Sequence, residues 1–126
     1  HTLFWGPFGP LLRYWGGIPV NRRQRTGFVD QMVERFASDP HCILIMAPEG
    51  TRRRTDGWKT GCYRIALAAG VPLALGCVDY ARREAGIVAY VTLTGDPDAD
   101  IATIASHYAG RSGKRPELAS PVRWLE

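Results

Sequence analysis

The sequence predicts an α/β domain in which helices cover a largely parallel sheet. Two observations carry that expectation. Continuous apolar runs of strand length stand at His41 to Met46 and Val71 to Val78, and runs that do not alternate suit strands covered on both faces. Segments of helical periodicity separate such runs, and strands alternating with helices are how parallel sheets are built. Size and composition agree: 126 residues, 45% hydrophobic and 22% charged, give one domain a core to bury and no pull toward disorder. No repeat, low-complexity tract or linker divides the chain, so residues 1–126 are expected to form a single domain.

Each element follows from local signals. Leu3 to Tyr14 is aromatic and broken by Gly6, Pro7, Gly9 and Pro10. Pro10 suits the first turn of a short helix through Leu11, Leu12 and Trp15, ended by Gly16-Gly17. Ile18 to Val20 reads as a short buried strand. Between Arg25 and Ser38, Phe28, Val29, Met32, Val33 and Phe36 recur at helical spacing, and Asp39-Pro40 stops that helix. His41 to Met46 is the next strand, followed by a polar, strongly basic loop from Pro48 to Trp58. Lys59 to Ala69 reads as a small-residue helix with Gly70 as its left-handed cap. Val71 to Val78 is a strand, Arg82 to Gly86 a turn, and Ile87 to Leu93 a strand again. A last helix follows Pro97, with Ile101, Ile104, Ala105 and Tyr108 on one stripe. From Gly110 the chain is irregular and polar until Val122 and Trp124.

Charge and cysteine usage narrow the function. The net charge of +4 and pI of about 9.3 favour an anionic partner: nucleic acid, a phosphorylated metabolite, coenzyme A or an acidic lipid surface. Cys42, Cys62 and Cys77 are widely spaced, no C-x-x-C occurs, and His1, His41 and His107 form no ligand pair. No metal is expected, and the thiols read as buried in a reducing compartment. No apolar run reaches the ~18 to 20 residues that span a bilayer, and no signal-peptide pattern is present. The chain opens on His1 followed at once by Leu3-Phe4-Trp5, so a longer protein with its missing part upstream is expected.

The chemistry concentrates at one strand end. Ile43 to Ala47 runs straight into Pro48-Glu49-Gly50-Thr51-Arg52, and ligands of open α/β sheets bind beyond the carboxyl ends of strands. Gly50 permits a tight turn, Arg52 carries a planar fork suited to phosphate oxygens, and Glu49 can fix that arginine or accept from a substrate hydroxyl. The bland alternative is a surface ion pair between Glu49 and Arg52. Against it, Arg22 and Arg23 follow the strand Ile18–Val20, so with Arg52, Arg53, Arg54 and Lys59 two basic clusters could meet at one sheet edge. That arrangement favours a phosphate-bearing ligand.

Pro48-Glu49-Gly50-Thr51-Arg52 resembles the P-E-G-T-R block of the lysophosphatidic acid and glycerol-3-phosphate acyltransferases. Gly17-Ile18-Pro19-Val20-Asn21-Arg22 is similar to the block that precedes it in that family, and Val71-Pro72-Leu73-Ala74-Leu75 to the V-P block that follows. Lys59-Thr60-Gly61 falls where these proteins often carry a lysine and a glycine. The likeness runs from about His1 to Tyr80. It implies an α/β sandwich of the glycerol-phosphate acyltransferase kind and transfer of an acyl group from acyl-coenzyme A or acyl carrier protein to a glycerol-phosphate hydroxyl, in phospholipid synthesis. By the same resemblance Arg22 and Arg52 hold the acceptor phosphate, with Lys59 among the substrate-binding residues. Glu49, Gly50 and Thr51 shape the site, and Pro72 lies on the acyl-donor side. No cofactor is implied beyond the acyl donor as co-substrate. The implied location is cytoplasmic, peripheral on the inner face of an anionic membrane.

One departure matters. Family catalysis uses an H-x-x-x-x-D block, whose histidine takes the proton from the attacking hydroxyl while the aspartate orients the imidazole. Five residues after His1, His41 and His107 stand Gly6, Met46 and Ser112. That block is expected upstream of His1, and residues 1–126 alone are expected to be inactive. The second proline of the V-P block is replaced by Leu75-Gly76, which bears on donor preference. Phe4, Trp5, Phe8, Tyr14 and Trp15 read either as core or as an interfacial patch. Two alternatives stand beside the enzyme: a non-catalytic module binding coenzyme A or phospholipid, and a nucleic-acid-binding domain. The second is disfavoured because no nucleic-acid motif is present and the aromatics are not interleaved with the basic residues.

Overall fold

A computed structural model describes residues 27–125. The helix expected around Leu11 to Trp15 and the strand expected at Ile18 to Val20 lie outside them. Helix α1 spans Phe28–Ser38 and buries Met32. It starts after Gly27 at φ 99° and ends where Asp39 turns extended. The stop is a local hydrogen-bond exchange: the Asp39 N–H donates to Arg35 O at 3.0 Å, while Asp39 Oδ1 accepts from the His41 N–H at 3.0 Å. An exposed Arg35–Asp39 ion pair of 3.2 Å closes the same turn and adds little.

The apolar run at His41 to Met46 is not a strand of the sheet described. It joins no ladder among the described residues, and Ile43 and Ile45 are 85% and 91% exposed. A strand exists only where a neighbour takes up its N–H and C=O groups. The two strands of the sheet described pair with each other, and the strand expected at Ile18 to Val20 lies outside the described residues.

Helix α2, Gly61–Ala69, buries Tyr63, Ile65 and Ala66 and packs on α1. Gly70 closes it in the left-handed conformation, φ 65° and ψ 31°, as its place after the helix predicts. Strands β1 (Leu73–Asp79) and β2 (Glu84–Val91) then pair antiparallel, Leu73 opposite Val91 and Asp79 opposite Glu84, with a bulge between Leu75 and Gly76.

The sheet of the described residues is therefore a two-stranded antiparallel one, where a largely parallel sheet was expected. The connection explains it. Only Tyr80 to Arg83 separate the strands, and a parallel neighbour needs a crossover of about a dozen residues or more. Buried Asp79 organises that turn, its Oδ1 accepting from the N–H groups of Ala81 at 3.0 Å and Arg82 at 3.1 Å. Arg83 takes φ 55°. The turn thus comes slightly earlier than the expected Arg82 to Gly86, and Glu84 to Gly86 belong to β2.

A lone hairpin is marginal in water, and this one is covered by helix α3, Pro97–Tyr108. Asp96 caps α3 by accepting from the N–H groups of Asp98 at 3.0 Å and Ala99 at 3.2 Å, worth about 1 kcal/mol. Ile104, fully buried, meets Leu75 and Val91 in the core, with Trp58, Tyr108 and Trp124 around them. The Tyr108 hydroxyl donates to Gly76 O, at the bulge, at 3.0 Å. After a 3-10 turn at Pro116–Leu118 the chain returns to the core, where Trp124 forms a parallel bridge with Trp58. No helix of the described residues is long and apolar enough to cross a membrane.

Candidate functional site

The loop from Pro48 to Lys59 is built on a β-turn. The Gly50 N–H donates to Ala47 O at 3.0 Å, with Pro48 and Glu49 between them, and proline is favoured at that second position. Gly50 has φ 66°, a conformation glycine adopts without penalty. The loop then closes on its own base, the Lys59 N–H donating to Pro48 O at 2.9 Å. The Lys59 side chain lies across Gly50: a Cβ there would stand 2.9 Å from its Nζ. Gly50 thus has two reasons to lack a side chain.

Of the residues that the sequence singles out, Glu49, Gly50 and Lys59 come together around this turn. The Thr51 Oγ1 accepts from the Arg53 N–H at 3.2 Å, a local bond that bends the chain. Arg52, Arg53 and Arg54 are exposed. Glu49 and Arg52 do not pair; among the described residues the ion pairs are Arg35–Asp39 and Arg82–Asp79. Glu49 is instead half-buried, its Oε1 accepting from the Ser120 N–H at 3.4 Å. Arg22 lies outside the described residues. Pro72 is exposed just before β1, on a separate segment of chain.

Sequence reasoning missed what anchors the loop. The Thr55 N–H donates to Ser120 Oγ at 2.9 Å, and the Arg123 Nε donates to Asp56 O at 2.6 Å. The Trp58 N–H donates to Arg123 O and the Leu125 N–H to Trp58 O, both at 2.7 Å. Gly57 is buried under this crossing, and a Cβ on it would fall 2.6 Å from Arg123 O. The only signal in the sequence was the return of apolar character at Val122 and Trp124.

A second missed group is Asp100, 2% exposed in the first turns of α3. Its carboxylate accepts from the Thr94 N–H, the Thr94 hydroxyl, the Gly95 N–H and the Tyr63 hydroxyl. Burial works to raise its pKa, but these donors outweigh burial and hold it below the ordinary aspartate value. Burial, together with this carboxylate, pushes the Tyr63 hydroxyl up. Burial also raises the Cys62 thiol, keeping it protonated and unreactive. Among the described residues no group of histidine, cysteine and carboxylate side chains could hold a metal. An open groove of about 470 Å³ lies beside the loop's end, between Thr60, Tyr63, Arg64, Ile101 and Trp124. It is flanked by α2 and α3 and does not include Glu49 or Arg52.

Comparison with known proteins adds a family. The family model described as Acyltransferase matches residues 1–76. The chain is 40% identical over 85 residues to the 1-acyl-sn-glycerol-3-phosphate acyltransferase of Escherichia coli (strain K12), covering 61% of this chain and 34% of that protein. The enzyme of the same name from Haemophilus influenzae is 39% identical over 80 residues, covering 57% and 32%. That of Salmonella typhimurium is 38% identical over 85 residues, covering 61% and 34%. The chain spans about a third of the length of these curated relatives. No solved structure matches.

Proposed function

Because this chain belongs to the Acyltransferase family, we propose that it is part of an enzyme that acylates a lysophosphatidate-like glycerol phosphate. The acyl group comes from acyl-coenzyme A or acyl carrier protein as co-substrate, and no cofactor takes part. The single observation that carries this reading is the Pro48–Lys59 loop. It sets three exposed arginines beside a glycine turn on which Lys59 lies, with no carboxylate of the loop spent on Arg52.

In this reading the roles divide by chemistry. Arg52, Lys59 and Arg22 hold the acceptor's phosphate through charge-assisted bonds, for which the guanidinium fork is suited. Gly50 lets the backbone approach the headgroup, and Glu49 and Thr51 shape its surroundings, Glu49 accepting from a substrate hydroxyl. Pro72 lies toward the acyl donor. The acceptor hydroxyl attacks the thioester carbonyl, its proton passes to a base, and the thiolate leaves. The base is the histidine of the family's H-x-x-x-x-D block, which no histidine of residues 1–126 satisfies. Residues 1–126 alone therefore turn over no substrate, and the complete protein does.

The exposed arginines also support peripheral contact with an anionic membrane on its cytoplasmic face, where such an acceptor resides. A non-catalytic module that binds coenzyme A or phospholipid is the second reading, favoured by the same lack of a histidine–aspartate pair. Acyl transfer to lysophosphatidate, measured on the complete protein and on residues 1–126, separates the two. Product from the complete protein supports the enzyme; binding without product from either supports the module.

A further inference from the structure

We propose that Ser120 is a positioning residue for Glu49 and for the loop that carries Arg52, so that the C-terminal segment Ser120 to Leu125 is a working part of the acceptor site. The proposal deepens the acyltransferase reading and rests on it. It concerns a segment beyond residues 1–76, the part that the family match covers.

Ser120 is buried and makes three bonds to the loop. Its N–H donates to Glu49 Oε1 at 3.4 Å, and its Oγ accepts from the Thr55 N–H at 2.9 Å. The third joins the two hydroxyls at 3.0 Å. The direction of that bond can be worked out. Thr55 Oγ1 donates its one proton to Gly57 O at 2.8 Å, so the Ser120 hydroxyl must be the donor to Thr55 Oγ1. One serine hydroxyl therefore both accepts from and donates to Thr55. Three and four residues further, Arg123 and Trp124 fasten Asp56 and Trp58.

The physical need for such a clamp is plain. Arg52, Arg53 and Arg54 repel one another, and a loop of like charges does not hold one shape by itself. Glu49 on one side and Thr55 to Trp58 on the other are pinned by a segment distant in sequence, while the arginines between them stay exposed. A headgroup then meets a loop backbone already ordered, and less ordering entropy is lost on binding. The Ser120 N–H occupies one of the two Glu49 oxygens. Being a backbone bond it survives Ser120→Ala, so that substitution reaches Glu49 only through the loosened loop.

The test uses the complete protein carrying Ser120→Ala or Ser120→Thr, with lysophosphatidate and acyl donor varied separately. Amide exchange over Pro48 to Lys59 is followed alongside. Ser120→Ala is expected to raise the acceptor KM about fivefold or more with the donor KM held within about twofold, and to speed Thr55 amide exchange about tenfold. Ser120→Thr, which keeps the hydroxyl, is expected to restore both. An unchanged acceptor KM, or donor and acceptor KM rising together, overturns the proposal. Where Ser120→Ala does not fold, Thr55→Val removes the hydroxyl–hydroxyl bond and the bond to Gly57 O while keeping the Thr55 N–H on Ser120 Oγ, and must show the same split to a smaller degree. A complete wild-type protein that never acylates lysophosphatidate overturns the acyltransferase reading, and with it the acceptor role of Ser120. The exchange measurement still decides whether the tether exists, so the two failures are distinguishable.

Discussion

The Tyr63 hydroxyl donates to Asp100 Oδ2 at 3.2 Å, tying the helix after the basic loop to the last helix through one buried carboxylate. The acidic side of the stability profile follows from this contact. Asp100 is held below its ordinary pKa by the donors of Thr94, Gly95 and Tyr63, against the opposing effect of burial. A group whose folded pKa is depressed contributes stability above its unfolded value and loses it as pH falls through the folded one. Urea unfolding of the wild type should therefore weaken below about pH 4, and Asp100→Asn should flatten that dependence while lowering stability at neutral pH. Equal acid slopes for the two proteins would contradict the account.

Tyr63 titrates at the opposite end. Burial and the Asp100 carboxylate raise its pKa, so its contribution holds below the unfolded tyrosine value and is lost as pH rises through the folded one. Tyr63→Phe should lose stability at neutral pH and show a shallower decline above about pH 10. Unfolding midpoints across that range check it.

Gly57 is the position where a methyl group is least tolerated. A Cβ at 2.6 Å from Arg123 O meets backbone, which cannot swing away. Gly57→Ala should cost about 1–3 kcal/mol and separate Trp58 from Trp124. A fall in the urea midpoint with an altered tryptophan emission is the expected result.

Gly50→Ala should act differently, because the atom it meets is the end of the flexible Lys59 side chain. The strain of a non-glycine residue at φ 66° is about 1–2 kcal/mol, and the displaced Lys59 should weaken acceptor binding. Acceptor KM measured with the complete protein should rise while the donor KM stays.

Much of this fold was readable from local signals, and what was not is instructive. Gly70, Pro97 and the Phe28 to Phe36 periodicity mark helix ends and extent directly, and the helices stand where expected, although of that apolar stripe only Met32 is fully buried. The run at His41 to Met46 has strand composition, but pairing is a tertiary property, and Ile43 and Ile45 are exposed among the described residues. The antiparallel sheet was implicit in the short Tyr80 to Arg83 connection, which rules out a crossover. At the site, Glu49 and Gly50 announced themselves beside Arg52 because the end of an apolar run, a glycine and an arginine are contiguous. Ser120 did not, since nothing local to a serine reports a partner more than sixty positions away.

The central claim is that the Pro48–Lys59 loop grips the phosphate of an acyl acceptor, and Arg52→Ala in the complete protein tests it most directly. Arg52 is exposed and pairs with no carboxylate of the described residues, so thermal stability should be unchanged. Loss of charge-assisted bonds of about 1.5 to 3 kcal/mol should lower kcat/KM for lysophosphatidate roughly ten- to a hundredfold. Near-normal turnover of the acceptor by a folded Arg52→Ala protein would contradict the account.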